Sequence, residues 1–194
     1  MKTKIILHGG FTRDNNELND SYYQEITKNL KNKDIILVVL FSRQPEEYRE
    51  LFKNETEKIK KSTDKNLSII LASENDFENQ LEQSRAIIIR GGETDKLITT
   101  INKFPNFLKL IKGKVVGGSS AGAYLFAQYY NSASQKKVFK GLGILPIRVI
   151  CHYKSKTHEG VGEEAIEMMD QYPKNFKLVI LRDYEWKVFE LSNL

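Results

Sequence analysis

The stretch from Lys114 to Phe126 passes from apolar residues through Gly117-Gly118-Ser119-Ser120-Ala121-Gly122 into a second apolar run. Within it, Gly118-Ser119-Ser120-Ala121-Gly122 has the G-x-S-x-G spacing of a nucleophile elbow. Such a bend joins a strand to a helix so tightly that the positions two before and two after the nucleophile must carry almost no side chain. The two outer glycines are symmetric about Ser120 and not about Ser119, which makes Ser120 the candidate nucleophile. Its hydroxyl is expected at the carboxyl edge of a sheet, where open α/β folds bind ligands, with the next helix presenting amides to an anion. A glycine-rich turn can also hold a phosphate or simply pack tightly, but neither G-x-G-x-x-G nor G-x-x-x-x-G-K-[ST] occurs in the chain.

A serine hydroxyl needs a base, and histidine has a suitable pKa near neutrality. Three histidines are present. His152, near the end of a strand downstream of the elbow, is expected to project toward the same rim as Ser120. His8, beside Gly9-Gly10, reads as a structural or binding-site residue, and His158 as an exposed loop residue. Cys151 next to His152 suggests a thiol nucleophile, but adjacent residues of a strand face opposite ways, so Cys151 reads as a small core residue. The imidazole also needs a carboxylate to hold its tautomer. No Asp or Glu lies between Gly122 and His152, which excludes the chain order Ser, acid, His. Asp183, after the strand candidate Lys177–Arg182, could supply it, with Glu185 as substitute; Asp183 reads equally well as a turn residue. Gly91 and Gly92 follow another strand, and their amides with that of Ala121 could form an oxyanion hole. The alternative for that pair is a plain turn with Thr94 capping a helix.

These residues need a scaffold, and the apolar pattern outlines one. Strands are expected at Lys4–His8, Ile35–Phe41, Leu67–Ala72, Ala86–Arg90, Lys114–Gly118, Ile147–Tyr153 and Lys177–Arg182. Helices are expected at Ser21–Lys31, Pro45–Ser62, Phe77–Gln83, Asp95–Lys103, Ala121–Tyr130 and Gly162–Gln171. Asp20 or Ser21 is a candidate cap for the first helix, and Gly113 can close the helix before the fifth strand. The segment from Glu185 to Leu191 alternates like one more, antiparallel, strand. The βαβα rhythm implies a three-layer, doubly wound α/β fold with a mostly parallel sheet. With 194 residues, no repeat and no linker-like tract, one α/β domain over residues 1–194 is expected.

The net charge of +5 raises the question of nucleic acid, but the lysines around 53–65 alternate with Glu55 and Glu57 as on a solvated helix face. No apolar run is long enough to span a membrane, and no leader segment is evident. A single cysteine fits a reducing compartment, so a cytoplasmic monomer or homodimer without nucleic-acid or membrane partners is expected. Serine chemistry calls for no metal and no cofactor.

Four blocks taken together resemble the peptidase E family of serine peptidases, which includes aspartyl dipeptidases and cyanophycinases. They are 87–94 (Ile-Ile-Ile-Arg-Gly-Gly-Glu-Thr), 118–123 (Gly-Ser-Ser-Ala-Gly-Ala), 141–146 (Gly-Leu-Gly-Ile-Leu-Pro) and 151–153 (Cys-His-Tyr). The resemblance spans about Lys4 to Trp186. It implies a fold similar to class I glutamine amidotransferases, hydrolysis of a small peptide or amide, Ser120 as nucleophile, His152 as base, and the glycine pair near the oxyanion; the alternatives are an esterase or amidase with a non-peptide substrate, or a catalytically idle small-molecule-binding protein of the same fold. Some members take their acid from just after the elbow, where this chain has Asn131, Ser132 and Ser134; the other position used in the family falls on Asp183. The aspartyl dipeptidases also resemble one another in an arginine beyond the histidine, where this chain has Glu163 and its neighbours. Arg90, Lys154 or Lys156 is the candidate replacement as substrate-carboxylate partner, bidentate geometry favouring Arg90. Glu93 and Tyr153, within the matching blocks, are further candidates for substrate contact.

Overall fold

A computed structural model describes residues 2–132, 134–157 and 161–192; His158 lies outside the described residues. The chain runs β1 (Thr3–His8), α1 (Glu17–Thr27), β2 (Ile35–Val39), α2 (Tyr48–Lys61), β3 (Ser68–Leu71), α3 (Phe77–Gln83), β4 (Ala86–Ile89), α4 (Thr94–Ile101), α5 (Phe107–Ile111), β5 (Val115–Ser119) and α6 (Ala121–Phe126). It continues through β6 (Ala127–Ser132), β7 (Lys137–Phe139), β8 (Leu145–Ile150), α7 (Glu163–Asp170), β9 (Lys177–Ile180) and β10 (Trp186–Leu191).

The first half builds a six-stranded sheet in the order β10-β1-β5-β4-β2-β3, parallel except for β10, which pairs antiparallel with β1. Its inner strands β1, β5, β4 and β2 are buried almost throughout, and since successive side chains point opposite ways each feeds the layers on both faces. Ile5 and Leu7 of β1 join Leu37, Val39, Ile87, Ile89 and Val116 in one core with α3, α4 and α6. Ile6, Ile36, Val38 and Ile88 point to the other face, against Tyr22, Tyr23 and Ile26 of α1 and Leu51 and Ile59 of α2. Helix, sheet and helix thus form the three layers expected, and β10 is antiparallel as its alternation suggests.

The later strands depart from a single alternating sheet. β6, β8 and β9 are parallel and form a second, four-stranded sheet with antiparallel β7, ordered β7-β6-β8-β9. Tyr130, Ile147 and Val149 pack into the same core as β1 and β5, so the two sheets share one apolar interior. The helix expected over Ala121–Tyr130 ends at Phe126, and the chain enters β6 directly. The Gly141-Leu142-Gly143 block accounts for this. The amides of Leu142 and Gly143 donate to the Leu125 and Ala127 carbonyls at 2.8 and 3.0 Å, satisfying acceptors that the helix end leaves open. Gly141 lies so close to the Tyr124 and Ala127 carbonyls that a Cβ would not fit.

Smaller differences are matters of capping and length. α1 starts at Glu17 because the Asn16 side chain accepts the Leu18 amide at 2.9 Å, so neither Asp20 nor Ser21 is the cap. Thr94 is the first helical residue of α4, with Glu93 at the cap position. The five-residue α5, which periodicity does not reveal, buries Phe107 against Phe77. Gly113 (φ 74°) follows that helix in the left-handed conformation, as expected of a closing glycine.

Candidate active site

Ser120 stands between β5 and α6 with φ 51° and ψ −107°, a combination that a non-glycine residue adopts only under strain. Its amide donates to the His8 carbonyl at 2.9 Å, and its own carbonyl accepts from Ala123 and Tyr124 at 2.8 and 2.9 Å. The flanking glycines explain how so sharp a bend packs. A Cβ on Gly118 would collide with the Gly122 carbonyl, and one on Gly122 with the carbonyl of Ile89 at the end of β4.

His152 comes from the other sheet. β8 ends at Ile150, so the histidine sits in a loop with φ 57° rather than in the strand expected over Ile147–Tyr153. Its Nε2 is 3.1 Å from Ser120 Oγ and its Nδ1 2.8 Å from Asp183 Oδ1. Asp183 follows β9, the neighbour of β8, and the two side chains reach Ser120 at the carboxyl ends of β1 and β5, where the loop after β8 is hydrogen-bonded to Gly9. Backbone bonds fasten this seam: His152 N to Gly9 O at 3.2 Å, Gly9 N to Glu185 O at 2.8 Å, and Tyr184 N to Gly10 O at 3.2 Å. The Glu185 carboxylate accepts the Arg182 amide at 2.8 Å and closes that turn, whereas Asp183 meets the imidazole.

The loop after β1 holds parts that sequence reasoning missed. Gly10 (φ 131°) lies under the His152 ring, where a Cβ would overlap the imidazole, and the Phe11 ring meets it edge-on with centroids 5.1 Å apart. His8 orders this loop. Its Nδ1 accepts the Gly10 amide at 3.0 Å, which leaves Nε2 to carry the proton donated to Asn19 Oδ1 at 2.9 Å. Burial pushes the His8 pKa down to about 3, so the ring is neutral at physiological pH. The pairing His8-Gly9-Gly10 at a strand end was the available signal, but nothing local says that these glycines face a histidine more than 140 residues away.

Gly91 lies against the elbow: a Cβ built on it would stand 3.0 Å from Ser120 Cβ and 3.6 Å from Oγ. The amides of Arg90, Glu93 and Ser120 are taken by backbone carbonyls, and among the described residues those of Gly91, Gly92 and Ala121 make no such bond. A cavity of about 570 Å³ opens over these groups, in the range of small-ligand sites. Its described walls include Phe11, Arg13, Arg43, Arg90, Ser120 and His152, and no Asp or Glu.

The residues expected to contact substrate stand differently to this cavity. The buried Arg90 guanidinium is ion-paired with Glu55, which also accepts from Tyr23 Oη at 2.7 Å; Arg90 touches the cavity wall but is not a free cation. Glu93 is exposed and accepts from Gln44 Nε2 at 3.1 Å, outside the cavity walls. Tyr153 donates to Glu163 at 2.7 Å, and Lys154 pairs with the same carboxylate, so neither turns to Ser120. Lys156 is exposed and is not among the described cavity walls, although its neighbour Thr157 is. Arg13 and Arg43, unremarked in the sequence, are the arginines besides Arg90 among its described walls. Cys151 is buried with its thiol toward the His8 carbonyl, and burial pushes its pKa far up. Its isolation from His152 chemistry comes from burial, since the strand has already ended.

Comparison with known proteins agrees with this architecture. No curated protein matches the chain. Among solved structures, a peptidase from an acI-B1 Actinobacterium superposes with a TM-score of 0.73 at 16% identity, covering 97% of this chain and 84% of that one. That likeness bears on the fold. The model of peptidase family S51 matches residues 5–190, as the resemblance to peptidase E in the four sequence blocks led one to expect, and the chain therefore belongs to peptidase family S51.

Proposed function

We propose that this peptidase hydrolyses a small peptide through Ser120, His152 and Asp183. The observation that carries the reading is the hydrogen-bonded file Asp183 Oδ1, His152 Nδ1, His152 Nε2, Ser120 Oγ at the base of the cavity, with spacings of 2.8 and 3.1 Å. Both spacings suit proton transfer.

In the first step Ser120 Oγ bonds to the scissile carbonyl carbon and its proton passes to His152 Nε2. The carbonyl oxygen becomes an oxyanion facing the amides of Gly91, Gly92 and Ala121, at the amino end of α6. His152 then gives its proton to the leaving amine as the C–N bond breaks. Water, deprotonated by the same imidazole, attacks the acyl-enzyme and frees Ser120. Asp183 holds the proton on Nδ1 and stabilises the imidazolium throughout.

The cavity size favours a dipeptide or an isopeptide over a folded protein chain. Its arginine-bearing walls, with no carboxylate among the described residues, favour a substrate with an anionic group near the scissile bond. Arg13, exposed on the rim, is the cation best placed to meet it. Cytoplasmic residence belongs to the same proposal and rests on the single cysteine, which leaves no internal disulfide and is buried.

The experiment is a dipeptide panel, with and without acidic residues, assayed with wild type, Ser120→Ala and Asp183→Asn. Ser120→Ala should leave no measurable turnover, and Asp183→Asn should lower kcat by about 10³-fold or more through the wrong tautomer. Near-normal rates in Asp183→Asn would mean that the serine and histidine act without this acid. Preference for neutral or basic dipeptides would remove the argument from the arginines.

A further inference from the structure

The turn Gly91-Gly92 is sandwiched between two pieces of the chain. Ser119 and Ser120 lie on one side; Ser42 and Arg43, from the loop after β2, lie on the other. Ser42 Oγ donates to the Arg90 carbonyl at 2.9 Å, a buried bond, and Arg43 Nε donates to the Gly91 carbonyl at 2.6 Å. These carbonyls belong to the peptide units whose N–H groups are those of Gly91 and Gly92. There are no cis peptides among the described residues, and in a trans peptide the N–H points opposite to the C=O. Holding both carbonyls toward Ser42 and Arg43 therefore turns both N–H groups away from these residues, and on the other side of Gly91 stands the elbow.

We infer that Ser42 and Arg43 are positioning residues for the oxyanion hole, locking its two glycine peptides against rotation. The inference rests on the proposed serine mechanism. The surroundings fit a rigid clamp more than a passing contact. The Ser42 carbonyl also accepts the Glu93 amide at 2.9 Å, so the seryl residue grips the turn from both ends. The Arg43 amide donates to the Leu40 carbonyl at 2.8 Å in a tight turn, and Lys96 Nζ donates to the Arg43 carbonyl at 2.6 Å. Gly92 leaves no room for slippage, since its missing Cβ would strike the Ser42 carbonyl and stand 2.8 Å from Ser42 Oγ. Glycine peptides are the easiest in a chain to rotate, so without such bonds the amides would have to be ordered at each turnover.

The clamp is separable from a substrate-binding role by kinetics. Ser42→Ala and Arg43→Gln should each lower kcat about 10- to 100-fold, less than deletion of an oxyanion donor, with KM changed by no more than about threefold. Affinity for a peptide aldehyde, which forms a tetrahedral adduct on Ser120, should fall in parallel with kcat, and Ser42→Thr, which keeps the hydroxyl, should restore most of both. A rise in KM at unchanged kcat for Arg43→Gln would make that arginine a substrate contact, and unchanged kcat in both variants would overturn the clamp. Arg43 is a partly exposed side chain, so its variant carries the test even if Ser42→Ala folds poorly. An inert wild type would remove the underlying mechanism and the clamp with it, whereas an active wild type with unaffected variants removes the clamp alone.

Discussion

Ser120 and His152 share an unusual backbone: both have positive φ, at 51° and 57°, and their amides donate to consecutive carbonyls, those of His8 at the end of β1 and of Gly9 just after it. Strain of this kind persists only where surrounding packing insists on it. His8 is part of that insistence, and its burial has a consequence for stability. The folded chain does not protonate His8 until about pH 3, whereas an unfolded histidine takes up its proton near 6.5. Between those values the unfolded state binds the additional proton, so lowering the pH through this window favours unfolding. Melting temperature should therefore fall from pH 7 to pH 5, and less steeply in His8→Asn, whatever the absolute stability of that variant. Equal slopes would mean that His8 is not held neutral. At this scale Ser120 was legible from two glycines placed symmetrically about it, and His152 from the scarcity of histidines. Asp183 was legible only as one of two acids, because the choice against Glu185 depends on which carboxylate closes its own turn. Arg13, Ser42 and Arg43 left no signal, since their importance comes from loops distant in sequence that topology alone brings to the cavity.

Among the elements, the strand-to-helix bend from β5 to α6 is the most tightly specified. The carbonyl of Gly122 occupies the space beside Gly118, and the carbonyl of Ile89 the space beside Gly122; neither is a flexible side chain that could swing aside. Gly122→Ala must then push α6 off β4, at a cost of about 1–3 kcal/mol if overpacking is typical, and should reduce turnover far more than stability because Ser120 moves with the helix. Thermal melts and kcat on the same preparation check this; full activity would show that the elbow tolerates a methyl group. The five parallel strands of the first sheet could be read from apolar runs because burial on both faces leaves little polar alternation. The end of α6 could not, as Gln128-Tyr129-Tyr130 continues a plausible helical pattern. What stops the helix is the distant Gly141-Leu142-Gly143 block taking its last carbonyls, a tertiary effect invisible to local periodicity.

For the molecule as a whole, the division into two sheets decides how the chemistry is assembled. An apolar alternation identifies strands but does not say which of them pair, so a continuous sheet was the natural expectation for β8 and β9. Their separation from the main sheet places Ser120 on one side of a seam and His152 with Asp183 on the other, over an interior that both sheets share. Gly9 lets the backbone at this seam approach that of Arg182, and Gly10 leaves the space that the His152 ring fills. The hydrogen-bonded file of Asp183, His152 and Ser120 is thus a property of two docked sheets and not of a single motif. The most direct measurement of this arrangement is covalent labelling with a fluorophosphonate followed by peptide mapping. Labelling is predicted at Ser120 in the wild type, strongly slowed in His152→Ala and absent in Ser120→Ala, with all three proteins folded. Adduct on any other residue, or undiminished labelling of Ser120→Ala, would contradict the account.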